Sequence, residues 1–387
     1  MGALFMHISK FVTPEIIFGD GAVDQVGESC RRLGAQKVLI VCDDGVMHAN
    51  WGEKVVKNCQ DANLACTVFS DITSNPKDKE VHRGVKVYLD NECDAVVGVG
   101  GGSALDAAKA IAIIATNGGN IHDYEGVDKI DLPLPPLVMV STTAGSGSEV
   151  SQFSIIVDTG LKKKLTIVSK SLIPDIAIVD PITLSTKDAA LTASTGLDVL
   201  THAIEAYVSV AATPLTDVQA KNAISLVSEY LRPSVASTSN KEAKNAMAMA
   251  SLQAGLAFSN AILGAVHAMS HAIGGRFSLE HGEINAVLLP YVMEYNLLAA
   301  PKQFAVMAEM MGENINGLTA MEAGKKAISY VRKLARDIGT PTTLSAMGLD
   351  ESAIPVMSQI AIKDACMITN PRDVTIRDVE ELFRLAL

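Results

Sequence analysis

Residues 96–103 read VVGVGGGS and pass directly into ALDAAKA. A β-branched apolar run that ends in consecutive glycines and opens a helix is the strand–turn–helix unit of a parallel sheet. β-Branched residues suit strands buried on both faces, and a helix carries the chain back for the next parallel strand. The same alternation recurs on either side. Residues 37–42 (KVLIVC), 65–69, 94–99 and 137–141 have the character of strands, and residues 22–33, 51–63, 78–90 and 104–115 that of helices. From about residue 186 the pattern is helical throughout, with breaks at Pro214, Pro233, Gly274, Gly275, Pro301, Gly339, Pro341 and Pro371. A chain of 387 residues can bury two cores. We expect an α/β domain with a Rossmann-like parallel sheet over residues 1–185 and an all-α domain over residues 186–387.

The net charge of -11 repels phosphate backbones and argues against a nucleic-acid partner. The one basic run, residues 162–164, is too short for a polybasic patch and reads as a solvated turn. The six cysteines, at positions 30, 42, 59, 66, 93 and 366, form no close metal-type pair and are expected as reduced, buried thiols. The N-terminus lacks the layout of a signal peptide. The most apolar helical stretch, residues 256–273, carries Ser259, Asn260, His267, Ser270 and His271, so it is not a membrane span. These features describe a cytoplasmic enzyme without a membrane partner.

Two loops bear the marks of nucleotide binding. In the first, Gly100, Gly101, Gly102 and Ser103 join a strand to a helix N-terminus, where backbone N–H groups can face a phosphate. A plain tight turn with Ser103 as helix cap is the alternative. The standard dinucleotide fingerprint is incomplete, because Ser103 replaces its third glycine and the acidic candidates, Asp43 and Asp44, precede the glycines. A carboxylate at Asp43 could still accept from a ribose 2′-hydroxyl and repel a 2′-phosphate, favouring NAD over NADP; an ordinary turn aspartate is the competing interpretation. The second loop, residues 142–149 (TTAGSGSE), crowds hydroxyls and amides after another strand.

The histidines are uneven. His267, His271 and His281 fall close together, and His267 and His271 share a helix face at a spacing of four. Asp198 and His202 repeat that spacing in GLDVLTHAIEAY. One carboxylate with several imidazoles suits a divalent transition metal. Against this, Thr195-x-x-Asp198 also fits a capping box, and His202 could be a core histidine.

Taken together, the chain resembles the iron-containing (group III) alcohol dehydrogenases. The resemblance runs through PEIIFGDGAV (residues 14–23), GGGSALDAAK (100–109), TTAGSGSEV (142–150), GLDVLTHAIEAYVS (196–209), GAVHAMSHAIGG and EHGEINAVLLP (264–290) and DACMITNPR (364–372). It implies a dehydroquinate synthase-like architecture and an enzyme that moves hydride between NAD(H) and a small alcohol, diol or aldehyde. It assigns Asp198, His202, His267 and His281 to a divalent metal, iron(II) first and zinc second, and makes His271 a neighbouring histidine that passes the alcohol's proton to solvent. It matches Asp43, Asn75, Gly100, Gly101, Gly102, Ser103, Asp106, Thr142, Thr143, Ser146 and Lys164 to cofactor contacts. Residues 11–18 resemble family strands that pair between subunits, which implies a homodimer or larger. Two departures stand out: Ser146 where the family often has threonine, and the acidic Glu283 beside His281. A reductase of an acidic, maleylacetate-like substrate and a dehydroquinate synthase-like lyase are the alternatives on this architecture. Both would need a basic cluster, and between Asp198 and His281 the chain offers only Lys221, Arg232, Lys241, Lys244 and Arg276.

Overall fold

The computed structural model describes residues 10–277 and 279–387. Its strands are β1 (Glu15–Phe18), β2 (Lys37–Val41), β3 (Ala65–Phe69), β4 (Ala95–Gly100), β5 (Gly126–Val127), β6 (Leu137–Ser141), β7 (Phe153–Asp158), β8 (Lys163–Val168) and β9 (Ile176–Val179). The first five helices are α1 (Val26–Arg32), α2 (Asp44–His48), α3 (Trp51–Asp61), α4 (Asp78–Asp90) and α5 (Gly102–Asn117). After β9 the chain is helical: α6 (Ala189–Val208), α7 (Pro214–Ala236), α8 (Lys241–Ala261), α9 (Ala265–Gly274), α10 (His281–Asn296), α11 (Pro301–Met310), α12 (Ala320–Asp337), α13 (Ile354–Ala361) and α14 (Ile376–Ala386).

Six strands form an all-parallel sheet in the order β1-β9-β6-β4-β2-β3. Alternate residues face opposite ways. Leu39, Val41, Val96 and Met139 pack against Leu105 and Ile111 of α5 and Val81 and Val85 of α4. Val38, Ile40, Val97, Val138 and Ile178 pack on the other face against Val23, Val26 and Val55. Covering both faces explains why these strands are continuous apolar runs. The chain steps outward from β2 to β3 and then returns to place β4 on the other side of β2. That reversal opens a crevice between the carboxyl ends of β2 and β4, the usual ligand position in such sheets.

A second sheet, in the order β5-β8-β7, was not anticipated from the sequence. Its β7–β8 hairpin corrects the expectation that the lysine run is a solvated turn. Lys162 alone sits exposed at the tip, with φ 51°, while Lys163 and Lys164 are strand residues. The third core is helical, built around Leu197, Leu200 and Ile204 of α6 with Ile224, Met247 and Leu288. The carboxylate of Asp188 caps α6, accepting from Leu191 N at 2.8 Å. Asp198 is therefore mid-helix and caps nothing, and Thr195 Oγ1 instead donates to Leu191 O. Among the described residues no single helix is long and apolar enough to cross a membrane; α8 and α9 meet at a bend of 100°.

Candidate active site

The carboxyl ends of β2, β4 and β6 and the facing surfaces of α6, α9 and α10 enclose a cavity of about 680 Å³. Asp43, Asn75, Gly101, Gly102, Ser103 and Asp106 line one part of it, together with Thr142, Thr143, Ser146 and Lys164. Asp198, His202, His267, His271 and His281 line another. Gly100 is the exception. It ends β4 behind the lining, at φ 152°, where a Cβ would lie 2.7 Å from that of Ala104.

On the sheet side, the two loops pack into one floor. A Cβ at Gly102 would lie 2.9 Å from Cβ of Ser146, and one at Gly101 would lie 3.1 Å from Cγ2 of Thr143. Gly101 is the N-cap of α5, and among the described residues no side chain claims the first N–H groups of that helix. Ser103 is not a cap; its hydroxyl accepts from Asn75 N at 3.2 Å, which fixes the Asn75 segment over the glycine turn. Those unclaimed donors and the positive end of a long helix suit a phosphate. Asp43 accepts from Val46 N at 2.8 Å through Oδ1, so it is a turn aspartate that caps α2, and its Oδ2 remains available. Asp106 is tied by hydrogen bonds from Ser148 Oγ and Ile155 N, and burial raises its carboxyl against the pull of Lys109. Thr142 Oγ1 is buried without a hydrogen-bond partner, a group that a ligand would satisfy.

On the helical side, ligand atoms of Asp198, His267 and His281 lie within 4.8 Å of one another. Asp198 Oδ1 is 3.7 Å from His267 Nε2. The Asn285 amide Nδ2 sits among them, 2.7 Å from Asp198 Oδ1 and 3.2 Å from Nε2 of both His267 and His281. His202 stacks on His267 with ring centroids 4.5 Å apart, and its Nδ1 is buried without a partner. Converging acceptor atoms and an orphaned ring nitrogen are what a divalent cation would complete. Burial opposes the charge of Asp198, but His202, His267 and His281 outweigh it and hold the carboxyl well below its usual range. Burial takes His202 down to about 4 against the attraction of Asp198. His267 goes the other way, to about 9, because the nearby carboxylates of Asp198 and Glu205 overcome burial. Burial and the Lys164 charge push His281 far down. Lys164 itself is lowered to about 8 by burial, against Asp106 and Asp198.

Three residues in this region were not singled out from the sequence. Glu205, one turn beyond His202 on α6, accepts from His267 Nδ1 at 2.6 Å and from Val266 N at 2.7 Å. It thereby leaves His267 Nε2 as the nitrogen facing Asp198. The Asp198, His202, Glu205 spacing on one helix face could have pointed to it. Asp364 accepts from His271 Nδ1 at 2.9 Å, a pairing across 93 residues of sequence that no local pattern reveals. Asn285 follows His281 by one helical turn. Glu283 does not line the cavity; Glu280 does. Among the described residues the lysines of the lining are Lys164 and Lys187. Lys221 lies over the Tyr207 ring, Arg232 pairs with Asp337, and Lys244 donates to Ser234 O.

Residues 13–181 match the family described as iron-containing alcohol dehydrogenase, and residues 192–387 match the C-terminal part of the Fe-containing alcohol dehydrogenase family. The chain is 44% identical over 379 residues to 1,3-propanediol dehydrogenase of Klebsiella pneumoniae, covering 97% of this chain and 98% of that protein. It is 41% identical over 377 residues to NAD-dependent methanol dehydrogenase of Bacillus methanolicus, covering 97% and 99%. A crystal structure of 1,3-propanediol oxidoreductase superposes with a TM-score of 0.96 at 43% identity, covering 98% of this chain and 100% of that one.

Proposed function

The chain belongs to the iron-containing alcohol dehydrogenase family and is an alcohol dehydrogenase, and on that premise we propose that it transfers hydride between NAD(H) and a small primary alcohol or diol, using a divalent cation held by Asp198, His202, His267 and His281. Iron(II) is the first choice of ion and zinc(II) the second. The observation that carries this is one cavity bounded both by the Asp43 and glycine-loop wall and by the buried carboxylate–imidazole cluster. A cavity with two lysines in its lining is poorly equipped for a polyanionic substrate, which disfavours the maleylacetate-like and dehydroquinate synthase-like alternatives.

A cation held by Asp198, His202, His267 and His281 would supply Lewis acidity toward an alcohol hydroxyl, and a bound nicotinamide would supply the hydride acceptor. The protein's own residues do the rest. Glu205 fixes the tautomer of His267, so that its Nε2 presents a lone pair. Asp364 accepts a hydrogen bond from His271 Nδ1–H, leaving His271 Nε2 to receive the hydroxyl proton and pass it outward. The N–H groups at the start of α5 and Lys164 would hold the cofactor's phosphates, and Asn75, Thr142, Thr143 and Ser146 would shape the walls around them. Asp43 would accept from the adenosine ribose and disfavour a 2′-phosphate. The outer edge of β1 at the sheet margin suits pairing with a second copy, giving a homodimer or larger assembly.

The test is anaerobic protein supplied with iron(II) or zinc(II), NAD or NADP, and a panel of short alcohols and diols, followed at the NADH absorbance band. NADH formation with a primary alcohol or diol is expected, lost together with bound metal in His267→Ala. No reduced nicotinamide with either metal, or undiminished turnover in His267→Ala, refutes the proposal.

A further inference from the structure

A second cluster with ligand character lies away from the active site. His122, on the 3-10 turn Ile121–Tyr124, faces Asp78 at the start of α4 and Asp158 at the end of β7. The three segments are far apart in sequence, yet one ligand atom from each lies within 4.8 Å of the other two. Asp78 is 7% exposed and Asp158 3%. In each carboxylate one oxygen is committed to structure. Asp158 Oδ1 accepts from Gly160 N and Leu161 N at 2.8 Å, and Asp78 Oδ1 from Lys79 N and Thr159 Oγ1. The other oxygens, both Oδ2, point at His122 Nε2 from 3.6 Å (Asp78) and 3.3 Å (Asp158). Among the described residues none donates a hydrogen bond to Asp78 Oδ2, although its side chain is only 10% exposed. Lys163, the register partner of Asp158 across the hairpin, is occupied by Glu125 at 2.6 and 2.7 Å. Among the described residues no lysine or arginine forms an ion pair with either aspartate.

The tautomer of His122 is constrained independently. Asn120 Oδ1 accepts from His122 N at 3.2 Å, which fixes the amide orientation, and the same oxygen contacts His122 Nδ1. Nδ1 therefore carries the hydrogen, and in a neutral ring Nε2 turns a lone pair toward two carboxylates. Three electron-rich atoms do not converge without a positive centre between them. An imidazolium would close to charge-assisted hydrogen-bond distances of about 2.7–2.9 Å. The observed separations are longer. They match the edge, about 3.4 Å, of a tetrahedron with metal–ligand bonds of about 2.1 Å.

We propose that Asp78, Asp158 and His122 form a second divalent-cation site, taking a zinc(II)-class ion through Asp78 Oδ2, Asp158 Oδ2 and His122 Nε2 with its open position toward solvent. Its place in the fold gives it a consequence. Pro76 O accepts from Val157 N at 2.8 Å, and Asn75, Pro76 and Val157 line the cavity. A cation here ties α4, the 3-10 turn and the hairpin together directly behind the Asn75 side of that cavity.

The experiment is a zinc(II) chloride titration of the metal-stripped full chain against a chromogenic chelator. Wild type should take up two equivalents. The double variant D198N/H267Q should retain the one held by the new site. H122Q and D158N should each keep the active-site equivalent and bind the other about 100-fold more weakly or worse. Circular dichroism checks the fold of each variant, and D158N carries the comparison alone if H122Q is unstable. Retention of two equivalents by both H122Q and D158N overturns the site. So does a wild type that binds one equivalent while D198N/H267Q binds none, which assigns the cluster to an imidazolium between two carboxylates.

Discussion

Replacing Glu205 by glutamine changes almost no volume but reverses one hydrogen bond. Glu205 is 3% exposed and accepts twice, from Val266 N and from His267 Nδ1. Glutamine has one carbonyl oxygen and one NH2. If the oxygen stays on Val266 N–H, the NH2 faces Nδ1–H, and two donors cannot pair. His267 must then move its hydrogen to Nε2, the nitrogen 3.7 Å from Asp198 Oδ1 that has to offer a lone pair to a cation. If the amide flips instead, the buried Val266 N–H loses its partner, at a cost of about 1–3 kcal/mol. Losing the outer partner of a metal-bound imidazole typically weakens metal affinity about 10–100-fold, or about 1.4–2.7 kcal/mol. Glu205→Gln should therefore bind iron(II) or zinc(II) more weakly by that factor, measured by chelator competition. Its activity should be lost at limiting metal and recovered at high metal. An unchanged metal affinity, with the fold intact by circular dichroism, would refute the role given to Glu205.

Further outcomes follow from the same geometry. His271→Ala should retain metal while turnover falls by about 100-fold or more. Asp364→Asn, which removes the charge facing the His271 Nδ1–H and leaves one acceptor oxygen for both that hydrogen and Cys366 N–H, should move turnover and its pH profile in the same direction; normal pH–rate curves in both variants would remove His271 from proton transfer. Asp43→Ser retains a capping oxygen but no charge, and the preference for NAD over NADP should narrow by about tenfold or more, since like-charge juxtaposition costs on the order of several kcal/mol; an unchanged ratio of kcat/KM values counts against the ribose contact. Lys164, lowered to about 8 by burial, is charged below that pH and neutral above it. The KM for NAD should accordingly rise as pH climbs through that value in wild type and stay flat in Lys164→Met; parallel curves would contradict a phosphate contact.

Much of the architecture was legible because burial on both faces leaves a plain signature. Residues 38–42, 95–99 and 137–140 are apolar runs, and each leads into a loop rich in Asp, Gly, Ser or Thr. The clustered histidines were legible for a similar reason, since polar groups are conspicuous in Ala/Ile-rich helices. The β7–β8 hairpin was obscured by its own turn, where three consecutive lysines masked the strand that carries Lys164. Glu205 looked like any glutamate on a helix until α9 was packed against it. The His271–Asp364 contact depends on how α9 meets the chain segment after α13, which periodicity does not encode. The Asp78–His122–Asp158 cluster needed a helix start, a 3-10 turn and a strand end brought together, which no local pattern encodes.

The central claim is that one carboxylate and three imidazoles, spread over α6, α9 and α10, grip a single cation in the cavity that also takes the nicotinamide. Anomalous diffraction from crystals grown with iron(II) measures this directly. The account predicts a peak about 2.0–2.2 Å from a carboxylate oxygen of Asp198 and from a ring nitrogen of each of His202, His267 and His281, with the Asn285 amide displaced from between them. Iron bound elsewhere in the cavity, or no peak beside Asp198 in protein that oxidises alcohols, would contradict it.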